Sequence, residues 1–178
     1  KVGSPVKILV ETEHIRCAPH MGRVKCGGNY ASAMHWVLKA KAEYGANQVL
    51  FCPNGDVQET GASNFILING DEIITKPLTD EFLHGVTRDS VLTVAKDLGY
   101  TVSERNFTVD ELKAAVENGA EAILTGTAAV ISPVTSFVID GKEIEVKSQE
   151  RGYAIRKAIT DIQYGLAEDK HGWLVRVC

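Results

Sequence analysis

Apolar residues in this chain follow two rhythms. Short runs at Val6–Val10, Gln48–Cys52 and Ala122–Thr125, with a further segment at Tyr100–Glu104, predict strands. Two pairs of runs flank turn residues and predict hairpins: Phe65–Ile68 with Ile73–Lys76 around Asn69-Gly70, and Phe137–Ile139 with Ile144–Val146 around Asp140-Gly141. Asp71 and Glu72 leave the first loop's length open. Longer stretches carry helical spacing. Met34, Val37, Leu38 and Ala42 predict a helix over about 30–44, with Asn29 as N-cap and Gly45 as stop. Val91, Val94, Ala95 and Leu98 share one face of a helix over 87–98, ended by Gly99. Thr108-Val109-Asp110-Glu111 is a capping box that opens a helix running to about Gly119. Ser148 is expected to cap a last helix reaching Tyr164, and Leu174–Val177 to add an edge strand. Residues 13–28 read as irregular.

Hairpins interrupt the alternation of strand and helix, so a doubly wound parallel sheet is disfavoured. The expectation is an α/β (mixed α+β) chain: one domain over 1–178, with a mixed sheet closed on itself and helices around it.

Composition narrows the partners. The net charge of −4 and the absence of a Lys/Arg run argue against a broad nucleic-acid surface. No apolar stretch has the length of a bilayer span, and Lys1-Val2-Gly3-Ser4-Pro5 carries no signal core. The four cysteines, Cys17, Cys26, Cys52 and Cys178, form no C-x-x-C pair and read as free thiols in a reducing compartment. An intracellular, cytoplasmic location is the default. An organelle stays open, because a chain that opens without Met, close to a strand, is expected to be a piece of a longer protein.

Four short segments hold candidate chemistry. In Val24-Lys25-Cys26-Gly27-Gly28-Asn29-Tyr30 a lysine precedes a glycine pair and a helix start. Glycine permits close backbone approach, and a helix N-terminus offers free N–H groups to an anion. A solvated loop lysine is the commoner outcome. In Gln58-Glu59-Thr60-Gly61-Ala62-Ser63-Asn64 an acid, small residues and an amide gather before a strand; Glu59 reads either as an exposed turn residue or as a buried acid facing a protonated ring nitrogen. Leu83-His84-Gly85-Val86-Thr87-Arg88-Asp89 is an ordinary helix start or an anion cradle. Thr125-Gly126-Thr127-Ala128-Ala129 is a tight packing turn or a second cradle. Taken together, one lysine, one acid and two cradles match the needs of pyridoxal phosphate. No metal-ligand set is read.

The same segments carry a family resemblance. Lys25-Cys-Gly-Gly-Asn-Tyr30 resembles the K-x-G-G-N-Y of branched-chain aminotransferases, Glu59–Asn64 their E-x-G-x-x-N, Leu83–Asp89 their L-P-G-[IV]-T-R-D, and Gly126-Thr-Ala their G-T-A, in the same order. The resemblance implies the larger domain of a fold-type IV pyridoxal-phosphate enzyme, with its pseudo-barrel. It implies transamination between an L-branched-chain amino acid and 2-oxoglutarate, and a homodimer. Lys25 would form the internal aldimine and move the substrate proton. Tyr30 would bond the cofactor's phenolate oxygen, Glu59 its pyridinium nitrogen, and Leu83 would pack on the ring. Val86, Thr87 and Thr127 would hold phosphate, while the backbone at Thr127 and Ala128 would meet the substrate carboxylate.

Several features depart from the family pattern or stay open. His84 stands where the family usually has Pro, and a turn substitution explains it better than acid–base chemistry. The C-x-x-C of some mammalian members is missing at Ala129 and Ser132, so its redox switch is expected to be absent. His14, His20, His35 and His171 receive no role. The family's smaller N-terminal domain, with its phosphate-binding arginine, is not in this sequence, and full turnover is expected to need it. A D-amino-acid aminotransferase or aminodeoxychorismate lyase on the same fold, or a non-catalytic module, are the alternatives.

Overall fold

Phe65-Ile66-Leu67-Ile68 is apolar at every position because both sides of its strand are covered. The computed structural model describes residues 5–177. Its strands are β1 Val6–Glu11, β2 Gln48–Phe51, β3 Asn64–Asn69, β4 Glu72–Thr75, β5 Thr101–Glu104, β6 Glu121–Gly126, β7 Val130–Ile139 and β8 Lys142–Glu145. Its α-helices are α1 Gly27–Tyr44, α2 Val86–Asp97, α3 Val109–Glu117 and α4 Glu150–Gln163. The sheet order is β2-β1-β7-β6-β3-β4-β5, and β8 pairs with β7. β1 runs parallel to β2 and β7, and β4 parallel to β5; the other pairs are antiparallel.

One covalent segment joins the two ends of this order. After β2 the chain folds back: Gln58 N–H donates to Phe51 O and Phe51 N–H to Glu59 O, each at 3.1 Å. On the way Val57 N–H donates to Phe107 O, just past β5, at 3.0 Å. The mixed sheet is thereby closed on itself, as expected.

Closure creates an inside. Phe65 and Leu67 of β3 point into it with Ile8, Leu50, Phe107 and Phe137, and Leu112 and Val116 of α3 complete this core. Ile66 and Ile68 face outward, under Val91 and Ala95 of α2 and Ile155 and Ile159 of α4. A third core lies where Ala33 and Ala40 of α1 meet Val49 and Phe51.

The local turn signals hold. Gly45 ends α1 in the left-handed conformation (φ 66°), and Thr108 Oγ1 accepts from Glu111 N–H at the start of α3. The Glu111 carboxylate pairs with Arg105. Both hairpins have two-residue loops, since Asn69 pairs with Glu72 and Ile139 with Lys142; the first turn is therefore Gly70-Asp71 and not Asn69-Gly70.

Other expectations are corrected. Asn29 is not the cap of α1. Cys26 occupies that position, and Asn29 lies in the first turn, where its Nδ2 donates to Met21 O and Val24 O. Met34 and Leu38 are exposed; the core side of α1 is Ala33 and Ala40. Val37, as expected, packs partly buried against that core together with Trp36. Gln149, not Ser148, is the N-cap of α4. β7 starts well before Phe137. Pro133 lies within it, beside an irregularity in the β1–β7 ladder, where a strand tolerates proline. Residues 174–177 form no strand. Cys17, Cys26 and Cys52 are free thiols, and Cys178 lies outside the described residues. None of the helices among the described residues is long and apolar enough to cross a membrane.

Candidate active site

Lys25 ends the loop before α1, and that loop is anchored from inside the helix by Asn29. From there Lys25 Nζ donates to Tyr30 Oη at 3.0 Å, one turn into α1. Gly27 and Gly28 are the first helical residues and face open space, so no close internal approach explains them.

Glu59 sits in the segment that closes the sheet and is 4% exposed. Its Oε1 accepts from Leu83 N–H at 3.0 Å and lies 2.8 Å from Arg16 Nε, although that N–H is not aimed at the oxygen. Its Oε2 accepts from Asn64 Nδ2 at 3.0 Å. Burial pushes the Glu59 carboxyl up to about 8, against the opposing pull of Arg16 and the Leu83 N–H.

Asn64, the first residue of β3, also donates to Leu83 O at 2.8 Å. It thus ties the acid to the loop before α2. Gly85, the N-cap of α2, presses on it: a Cβ there would stand 2.1 Å from Asn64 Oδ1. No side chain caps α2, so its first-turn N–H groups are left free at the end where Val86 and Thr87 sit. The turn between β6 and β7 supplies the far wall with Thr127 and Ala128, and Val130 beyond it holds a left-handed φ of 61°, strained for a β-branched residue.

Lys25, Tyr30, Glu59, Leu83, Val86, Thr87, Thr127 and Ala128 all line one cavity of about 550 Å³. That is a ligand-sized volume. His84 also borders it, but its Nε2 lies 2.8 Å from Thr79 O, within its own turn. The other histidines stand apart from the cavity. Three of them do have partners: His14 contacts Glu11 and lies tilted against Trp36, His35 meets Trp36 edge-on, and His171 contacts Asp97 and stacks on Trp173.

Among the lining residues without a predicted role, Arg16 lies outside the four singled-out segments, whereas Asn64 and Thr125 stand within them. Asn64 was visible in its motif, but its role was not. Arg16 carried no signal, being one residue in an irregular loop. Thr125 ended a strand, and its Oγ1 is buried in the cavity wall without a hydrogen-bond partner.

Residues 10–137 match the model of the amino-transferase class IV family. The chain belongs to the class IV aminotransferases. Among curated relatives it is 40% identical to a probable branched-chain-amino-acid aminotransferase of Streptomyces coelicolor, over 96% of this chain and 49% of that one. It is 39% identical to branched-chain-amino-acid aminotransferase 2 of Bacillus subtilis, over 97% and 50%. The chain therefore spans about half the length of the curated relatives it matches. Among solved structures, the branched-chain aminotransferase of Escherichia coli superposes with a TM-score of 0.82 at 30% identity, covering 97% of this chain and 57% of that one. The Thermobaculum terrenum enzyme, solved in its pyridoxal-phosphate form, gives 0.79 at 26% identity, covering 97% and 55%. The class IV fold expected from the sequence is the fold observed.

Proposed function

We propose that this chain is the cofactor-binding domain, residues 1–178, of a pyridoxal-phosphate aminotransferase that moves an amino group between an L-branched-chain amino acid and 2-oxoglutarate. The observation that carries the reading is the convergence of Lys25, Glu59 and the uncapped start of α2 on one cavity. The cavity fits the cofactor chemically. Glu59 Oε2 has one protein donor and so retains acceptor capacity, the helix start offers N–H groups, and the Thr125 hydroxyl is unpartnered.

When bound, pyridoxal phosphate supplies a ring that withdraws electrons from the substrate's alpha carbon. Lys25 Nζ would attach the cofactor and carry the proton to and from that carbon. Tyr30 orients Lys25 and would bond the ring oxygen. Glu59 would accept from the ring nitrogen, and Leu83 would pack on the ring face. The N–H groups at Val86 and Thr87, with the Thr127 hydroxyl, would hold phosphate at the positive end of α2. Backbone N–H groups at Thr127 and Ala128 would hold the substrate carboxylate. The names of the relatives favour a branched-chain substrate over the sister activities. A homodimer is part of the same reading.

Reduction with borohydride after addition of pyridoxal phosphate, followed by peptide mass spectrometry, tests the site: the label is expected on Lys25 alone. A panel of L- and D-amino acids with 2-oxoglutarate tests the substrate. Label on another lysine, or preference for D-amino acids, would refute the reading.

A further inference from the structure

Arg16 is held on three sides. Its carbonyl accepts from Ser32 Oγ of α1 at 2.8 Å, and its Nη2 donates to Gly22 O at 3.1 Å. Gly22 is itself fixed: its N–H donates to Asp80 O at 3.0 Å, and a Cβ there would stand 1.9 Å from the Glu81 carbonyl carbon. The guanidinium is 5% exposed, and these anchors hold its Nε 2.8 Å from the Glu59 carboxylate.

The other groups around Glu59 are of a different kind. The loop carrying Arg16 also brings the Cys17 thiol near, raised above the usual thiol range chiefly by burial. β3 contributes the neutral Asn64 amide, and the loop before α2 contributes the Leu83 N–H. Lys25 and Tyr30 border the same cavity from α1 and the loop before it. Arg16 is the cation in direct contact with the acid.

We propose that Arg16 is a positioning residue that keeps the proton shared between Glu59 and the cofactor on the ring nitrogen. The inference rests on the reading of this cavity as a pyridoxal-phosphate site. A proton between two bases resides on the more basic one. Burial makes a carboxylate more basic, and an adjacent fixed cation makes it less so. Arg16 already pulls against the burial that raises Glu59 in the ligand-free protein, and in the loaded site that pull tips the shared proton towards the ring nitrogen, where its charge makes the ring electron-withdrawing. Each pKa unit by which Glu59 rises shifts the proton about tenfold towards it.

The test uses the full-length protein loaded with cofactor ¹⁵N-labelled at the ring nitrogen. The wild type is expected to show the protonated nitrogen shift. R16Q, which removes the charge but retains a donor for Gly22 O, is expected to move towards the unprotonated shift, and R16K to restore it. A wild type with an unprotonated nitrogen overturns the proposal even if no variant folds, and so does an R16Q protein with an unchanged signal. The ligand-free protein supplies a second readout: the Glu59 carboxyl band in infrared pH titrations, assigned by its loss in E59Q, should have a higher midpoint in R16Q. An unchanged midpoint there likewise overturns it. Failure of the cofactor to label Lys25 would sink the functional reading, while the infrared midpoint would still report on the Arg16–Glu59 pair.

Discussion

Lys25 Nζ donates to Tyr30 Oη at 3.0 Å, so the lysine proposed to carry the chemistry is oriented by the helix that begins immediately after it. Its side chain also passes over the tyrosine ring, 5.3 Å from the centroid. Tyr30→Phe keeps the ring and removes the hydroxyl. Loss of one such bond costs about 1.5–3 kcal/mol, or roughly 10- to 100-fold in rate. Steady-state transamination is expected to fall by that factor in kcat while borohydride labelling stays on Lys25. A Tyr30→Phe enzyme with wild-type kcat would remove Tyr30 from the site.

Glu59 gives the ligand-free protein a pH signature. Burial raises its pKa from 4.5 to about 8 on folding. Across that window the folded chain holds a proton that the unfolded chain has released. The stability linked to this group is therefore complete below about pH 4.5 and lost as pH rises towards about 8, amounting to a few kcal/mol at most. Denaturant titrations from pH 4.5 to 8 on wild type and Glu59→Gln should show the difference between them changing in that direction. A difference independent of pH would contradict the linkage.

Glu121 is 1% exposed and serves the start of α4 from within the sheet. Its carboxylate accepts from Ser148 Oγ and from the Arg151 and Gly152 N–H groups, at 2.9 to 3.1 Å. Ser148, expected to be the cap, stands one residue before the N-cap position; its Oγ still accepts from the Glu150 N–H at 3.2 Å while it donates into this network. Glu121→Ala would leave buried donors unsatisfied, at a cost of about 2–4 kcal/mol. Chemical denaturation is expected to show that loss, with a smaller one for Glu121→Gln.

Two glycines predict opposite outcomes. Gly85→Ala places a methyl against Asn64 Oδ1 and must displace the amide that ties Glu59 to Leu83. Cofactor affinity should drop about 10-fold or more, as read by absorbance titration, because the pre-arranged donors at α2 shift. Gly28→Ala meets open space inside a helix and should stabilise the chain by up to about 1 kcal/mol in thermal melts. Destabilisation by Gly28→Ala would show that this glycine has a packing role.

What the sequence by itself determined is local or periodic. The left-handed stop at Gly45, the Thr108 cap and the Asp140-Gly141 turn depend on atoms a few residues apart, and each is present. The run Phe65–Ile68 predicted a hairpin strand, and the strand is present, while its burial on both faces is seen only in the structure. The motifs and the family resemblance they carry named eight residues that line one cavity. Tertiary structure decided the rest. Met34 and Leu38 lost the core to Ala33 and Ala40, because which side of α1 meets the sheet is set by how the helix docks on β2 and not by its spacing alone. The first half of β7 formed despite Pro133, because pairing with β6 and β1 outweighs one missing donor. Arg16 meets Glu59 only because the chain closes its sheet through the segment that carries the acid, and no periodicity along the chain encodes a contact made by closure.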